Sequence, residues 1–181
     1  VLLNISTLRN LGDRVYEKRR TAALEIEARI KELSSLPVDG GRKEIDQIVS
    51  LLVSEFAMSH QPNSRKGGLI GLAAAALALG SNVHRWLHIL LPPVLNSFTD
   101  ADSRVRYYGC EALYNIAKVA RGRVLEYFNN IFEGLCKLCG DTDHSVRSGT
   151  HLLDRLMRDI VAEAAAGTPG DDMPDLSRMV S

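Results

Sequence analysis

The chain has 181 residues, with 22 lysines and arginines against 22 aspartates and glutamates, 45% hydrophobic and 6% aromatic residues. That is the composition of a soluble globular protein, and its formal neutrality removes the broad basic footprint that nucleic-acid binding through phosphate neutralisation requires. Three cysteines leave one unpaired, which excludes a secreted disulfide framework and favours thiols in a reducing compartment.

Taken in chain order, no basic, apolar, small-residue leader opens the sequence. The first 36 residues carry Asp13 and, six positions on, Arg19. Gly40-Gly41 marks a long connection, after which residues 42–58 place apolar side chains at helical spacing. Pro62-Asn-Ser-Arg-Lys66 then leads into Gly67-Gly68-Leu-Ile-Gly71 and an alanine-rich run. The most apolar stretch, 69–79, is too short and too rich in Ala and Gly to span about 30 Å of hydrocarbon. Residues 83–98 are again helical in pattern, and Pro92-Pro93 must bend or interrupt them. After Asp102, the apolar or small positions Val105, Tyr108, Gly109, Ala112, Leu113, Ile116 and Val119 step by three and four, one face of a helix. A helical pattern over 122–139 follows, then Val146, Gly149, Leu153, Leu156, Met157 and Ile160. Beyond Ala166 periodicity is lost, and 167–181 reads as a flexible tail or the broken start of a further unit.

These runs repeat. Asp100-Ala-Asp-Ser-Arg-Val-Arg106 recurs as Asp141-Thr-Asp-His-Ser-Val-Arg147, 41 residues on, and a shift of 39 residues back aligns Ser103-Arg104 with Ser64-Arg65. Asp13 and Arg19 stand in the same relation as Asp100 and Arg106. Four units result, at approximately 1–36, 41–80, 82–120 and 122–166, with the period of HEAT-type helix pairs. Asn63, Asp102 and Asp143 are the candidate helix caps, because a side-chain oxygen there accepts from an orphaned first-turn amide. Strand alternation and hairpin signals are absent, so the expected fold is all-α: a right-handed HEAT-type α-solenoid of about four antiparallel helix pairs over residues 1–166, whose stacked units bury a continuous core that no single pair can bury alone.

The repeated Asp13, Arg19, Asp100, Arg106, Asp141 and Arg147 are expected to form a structural ladder, each turn aspartate and the arginine six residues on bonding along the stack. Chemical motifs are weak beside it. Asp100-x-Asp102 and Asp141-x-Asp143 lack the glycine and bidentate glutamate of a calcium loop. Cys136-x-x-Cys139 and His84-x-x-x-His88 fall on different units, which argues against a zinc site, and the βαβ setting of a redox CxxC is missing. Gly67, Gly71, Ala74 and Ala78 read as small residues at helical spacing for close packing rather than as a phosphate loop, and no serine sits in a nucleophile elbow. Cys110, Cys136 and Cys139 are expected to be core thiols and Trp86 to lie on a packing face. No enzyme, cofactor or metal site is expected. The polar loop edge supplies the candidate partner-binding residues: His60, Asn63, Arg65 and Lys66 in the second unit, and Asp102, Arg104 and Tyr107 in the third, the last because an exposed aromatic beside arginine is the composition of a hot spot.

Three stretches, Tyr16-Glu-Lys-Arg-Arg-Thr-Ala-Ala-Leu-Glu-Ile-Glu27, Ser64-Arg-Lys-Gly-Gly-Leu-Ile-Gly-Leu-Ala-Ala74 and the run from Asp100 to Ala120, resemble the amino-terminal HEAT-repeat region of the ArPIKfyve family. Phe128-Asn-Asn-Ile-Phe and Leu152-Leu-Asp-Arg-Leu extend the resemblance to roughly residues 8–165. It implies a non-catalytic scaffold that docks the PIKfyve-type phosphatidylinositol 3-phosphate 5-kinase and supports phosphatidylinositol 3,5-bisphosphate synthesis and turnover. The implied location is the cytosol and the cytoplasmic face of endosomal and vacuolar membranes, where the protein is peripheral. It further implies a Sac-domain phosphoinositide phosphatase as a partner, through parts absent from this chain, and self-association of the full-length family. The alternative reading is a peripheral adaptor that binds anionic lipid through a basic solenoid edge of Arg19, Arg20, Arg65, Lys66 and Arg104. The balanced charge and the lack of any run of four basic residues weigh against it.

Overall fold

The structure is a computed structural model that describes residues 2–167. Among these residues the regular elements are all helical. Helix α1 (Ile5–Leu11) pairs with α2 (Tyr16–Ser34), α3 (Arg42–Leu51) through its π-helical continuation Leu52–Ala57 with α4 (Pro62–Leu79), α5 (Leu87–Asn96) with α6 (Ser103–Ala120), and α7 (Phe128–Leu138) with α8 (His144–Ala166). The second helices lie side by side in chain order, α2 on α4, α4 on α6 and α6 on α8, and α3, α5 and α7 follow one another on the opposite layer. This is an α-solenoid, in which each pair packs on its neighbours and the core runs through the stack. The tail expected over 167–181 lies, from residue 168 onward, outside the described residues.

The expected apolar face of α6 is the buried one, Val105, Tyr108, Gly109, Ala112, Leu113 and Ile116, with Val119 only half-buried at its end. Leu113 and Ile116, together with Leu90 and Leu91 of α5, are fully enclosed, each burial contributing roughly 1.5–3 kcal/mol. Helix α4 works by smallness instead. A Cβ on Gly67 would come within 1.7 Å of the Leu11 carbonyl oxygen, and one on Gly68 within 2.3 Å of the Ala57 backbone nitrogen. Two of the residues flanking α4 thus approach it backbone to backbone, and Gly68, outside the expected small-residue series, belongs to that contact.

Several local expectations are corrected. The helices are shorter than their apolar patterns: 3₁₀ turns occupy Gly80–Trp86 and Arg121–Tyr127 before α5 and α7 begin, and a π-helical stretch, Leu52–Ala57, continues α3. Pro92 and Pro93 do not interrupt α5, which runs through both; the two missing donors leave only the carbonyls one turn earlier without their usual partners. The first long connection lies where Gly40-Gly41 marks it, and its left-handed residues are Val38 (φ 56°) and Asp39 (φ 54°). Gly41 is needed for proximity, since its Cβ would lie 2.3 Å from the Leu33 carbonyl oxygen, while Arg85 holds Asp39 through two hydrogen bonds of 3.1 and 2.8 Å. Residues 62–99 are long and apolar enough in composition to cross a membrane, yet they are two helices broken at Gly80 (φ 57°) and mostly buried in the core.

Candidate docking surface

The turn before each second helix is built alike. A side-chain oxygen accepts from the amide two residues on: Asp13 from Val15 at 2.8 Å, Ser59 from Gln61 at 3.1 Å, Asp100 from Asp102 at 2.9 Å and Asp141 from Asp143 at 2.9 Å. Six residues beyond, an arginine Nη1 folds back onto the turn carbonyl: Arg19 on Asp13, Arg65 on Ser59, Arg106 on Asp100 and Arg147 on Asp141, at 2.7–3.2 Å. The free edge of the guanidinium then reaches the next unit. Arg65 donates Nε and Nη2 to Asp100 at 2.7 and 3.0 Å, and Arg106 does the same to Asp141 at 2.7 and 3.1 Å. These bidentate contacts hold the Asp141 carboxyl below the usual carboxylate range and push Arg106 upward.

The ladder bonds along the stack from unit to unit as expected, but its members differ from the expected set. Asp and Arg of one unit meet through a backbone carbonyl, and the side-chain rungs run from Arg65 and Arg106 to the following unit's aspartate. Arg65, expected to face a partner, is a rung and equivalent to Arg106, so the second unit aligns with the third at 41 residues rather than 39. Asp13 instead pairs with Lys18 at 3.7 Å, and Arg147 reaches only its own turn carbonyl. Asp102 and Asp143 cap α6 and α8, whereas Asn63 lies inside the first turn of α4, whose cap position is Gln61. Asp102 also draws Lys66, Nζ to Oδ2 3.9 Å.

Of the expected contact residues, His60 and Arg104 are exposed, Asn63 and Tyr107 half-buried, and Arg65, Lys66 and Asp102 are held in contacts between units. Arg104 and Tyr107 come together at one corner. The Arg104 guanidinium lies 4.6 Å from the Tyr107 ring centre and 5.3 Å from that of Tyr108, and the two rings meet edge to face at 5.6 Å. Desolvation raises the Tyr107 phenol. Tyr16, from α2, lies parallel to Tyr108 at 6.3 Å, and Arg19 lies beside the pair, 5.8 and 5.7 Å from the two ring centres. Tyr16, an exposed residue, escaped the sequence reading, whereas Tyr108 is buried as its place in the apolar series of α6 implies; the signal for Tyr16 was the clustering of aromatics beside the repeated arginines.

From this corner a shallow groove of about 150 Å³ crosses α2, α4 and α6. Its floor is the small-residue face of α4, with Ala73 and Leu77, and its walls are Leu24 of α2 and Glu111 of α6. Leu24 is 50% and Leu77 36% exposed, so the groove presents apolar surface to solvent. Desolvation against the groove raises the Glu111 carboxyl, opposed by Arg104. A second apolar surface lies on the last pair, where Phe128 and Phe132 stack at 5.9 Å beside Met157 and Val161.

The remaining candidates fall elsewhere. Trp86 packs in the core, 3% exposed, with its Nε1 donating to Asp46 at 2.7 Å. Cys110 is buried, its thiol pushed up to about 11 by desolvation, but Cys136 and Cys139 are exposed, contrary to expectation. The buried series of α7 is Ile131, Leu135 and Leu138, and each of those two cysteines falls one step past it. His84 Nδ1 lies 2.9 Å from the Ser81 carbonyl oxygen.

A family model described as the Vacuolar 14 Fab1-binding region matches residues 63–159, from the first turn of α4 to the last turns of α8. The chain is 54% identical over 156 residues to the Protein VAC14 homolog of Arabidopsis thaliana, 50% over 163 to the Vacuole morphology and inheritance protein 14 of Saccharomyces cerevisiae, and 47% over 161 to the Protein VAC14 homolog of Schizosaccharomyces pombe. These matches take in 86, 89 and 88% of this chain but 21, 18 and 20% of the relatives, so the chain spans about a fifth of their length. No solved structure matches it.

Proposed function

We propose, from the premise that this chain belongs to the Vac14 family, that its helical stack is a non-catalytic docking module for a Fab1/PIKfyve-type phosphatidylinositol 3-phosphate 5-kinase. The observation that carries the reading is the match to a Fab1-binding region over α4–α8, the part of the chain that holds the Arg104–Tyr107 corner and the floor and one wall of the groove. A stack of helix pairs supplies an extended surface, and tethering raises the local concentration of bound enzymes without new chemistry. In this role the chain supports phosphatidylinositol 3,5-bisphosphate synthesis and turnover at the cytoplasmic face of endosomal and vacuolar membranes. On the same reading, a Sac-domain phosphatase and self-association are expected to use parts of the family outside this chain.

The docking corner has the chemistry of a hot spot: an exposed guanidinium stacked on a tyrosine, next to apolar surface. The anionic-lipid reading is less well supported, because Arg19 is buried and Arg65 and Lys66 are held in contacts between units. Pull-down with the kinase tests the proposal. Arg104→Glu combined with Tyr107→Ala should reduce capture at least tenfold while the chain stays folded and helical; undiminished capture by the double variant removes this corner, and failure of the unaltered, folded chain to capture the kinase removes the docking role.

A further inference from the structure

One of the four repeated turns has no carboxylate. Ser59 stands where Asp13, Asp100 and Asp141 stand, and it makes the same two local bonds, from Gln61 N–H to its Oγ and from Arg65 to its carbonyl. It cannot make the third, the charged rung to the preceding arginine. By the register of the other rungs, that arginine is Arg19. Its Nη1 is tied to the carbonyls of Asp13 and Arg14 at 2.9 Å each, as Arg65 is tied to Ser59 and His60, so the edge left over is again Nε with Nη2. Nη2 finds only the Tyr108 hydroxyl at 3.4 Å, and Nε, on a residue 4% exposed, has no hydrogen-bond partner. The first unit's turn lies close to the helix ends that flank the second: a Cβ on Gly12 would lie 3.3 Å from Ser64 Oγ in the first turn of α4 and 3.7 Å from the Phe56 ring.

A buried guanidinium whose Nε has no acceptor and whose Nη2 has only a long bond to a neutral hydroxyl is an incomplete anion site, and its planar fork suits phosphate as well as carboxylate. We propose that Ser59 is a phosphorylation site whose phosphate accepts from the open edge of Arg19 and supplies the rung that aspartate supplies in the third and fourth units. Ser59 is half-buried between exposed Met58 and exposed His60, within reach of a protein kinase. In the transfer Ser59 Oγ bonds to the terminal phosphorus of a nucleoside triphosphate, its proton passes to the kinase's base, and the bond to the departing nucleoside diphosphate breaks. The added group carries about −1.5 to −2 charge and extends further than a carboxylate, so it locks α2 to the second turn and fixes Tyr16 against Tyr108.

Two measurements test this. Mass spectrometry of the protein isolated from its own cells under phosphatase inhibition should find phosphate on Ser59, and its complete absence overturns the modification. In parallel, Ser59→Asp in the intact chain should raise Tm by about 2–6 °C, and site-specific phosphoserine should raise it at least as far. Neither should do so in an Arg19→Gln background; no rise, or an equal rise in both backgrounds, overturns the rung. If Arg19→Gln does not fold, the Arg19 Nε–H resonance decides instead: it should shift and exchange more slowly with Ser59→Asp, and an unmoved resonance rejects the contact.

Discussion

Arg106 and Asp141 form the most enclosed of the ladder rungs, with side chains 16 and 8% exposed. The guanidinium hydrogen bonds, assisted by the Asp143 amide, lower the Asp141 carboxyl in the folded state. A depressed carboxylate contributes stability that is fully present above its unfolded value near 3.8 and is lost as pH falls through the lower, folded value. Thermal melts should accordingly weaken once pH drops below about 4, and Arg106→Ala should flatten that part of the acid profile. At neutral pH the same substitution should cost about 1.5–3 kcal/mol in urea denaturation, since it leaves a partly buried carboxylate without its charged partner. The ladder was legible because aspartate and arginine recur at fixed spacing. Its wiring was not: the bond from arginine to its own turn is made to a backbone carbonyl, which leaves no trace in residue type, and Ser59 in place of aspartate erased the second turn's signature and shifted the alignment by two residues.

The helices themselves were legible through their three-and-four periodicity, because a face that packs on two neighbours must stay apolar along its length. What that pattern could not show is where an α-helix gives way to a tighter 3₁₀ turn, since both place apolar residues on one side. The junctions have their own repeat. Gly80 at φ 57°, ψ −133° and Arg121 at φ 49°, ψ −128° end α4 and α6 at positions 41 residues apart, in a conformation that suits glycine and strains an L side chain. Arg121→Gly should therefore stabilise the protein by about 1 kcal/mol in urea titration, despite losing the surface pair with Glu163, which is too exposed to weigh much. Gly67→Ala should act oppositely and cost about 3 kcal/mol or more, because the atom its methyl meets is a backbone oxygen of α1 that no rotamer change can move.

In the whole molecule, neighbour-only packing means that stability and binding are distributed along one axis. Helix α4 has a second helix on each side, while α1 is short and the last turns of α8 are exposed, so native-state hydrogen exchange should be slowest in α4 and fastest at the two ends. That gradient makes the docking face measurable. The face itself was not legible in the sequence, because outward residues obey no packing period, and Arg104 and Tyr107 were picked by composition, as was Arg65, which is a rung instead. Two apolar surfaces compete: the groove over α2, α4 and α6, and the Phe128–Phe132 surface of the last pair. If the kinase binds at the Arg104–Tyr107 corner, its addition should slow exchange in the first turns of α2 and α6 and leave α7 unchanged. Protection confined to α7 and α8 would transfer the docking role to the phenylalanine surface, and the pull-down defect of Arg104→Glu would then be absent as well.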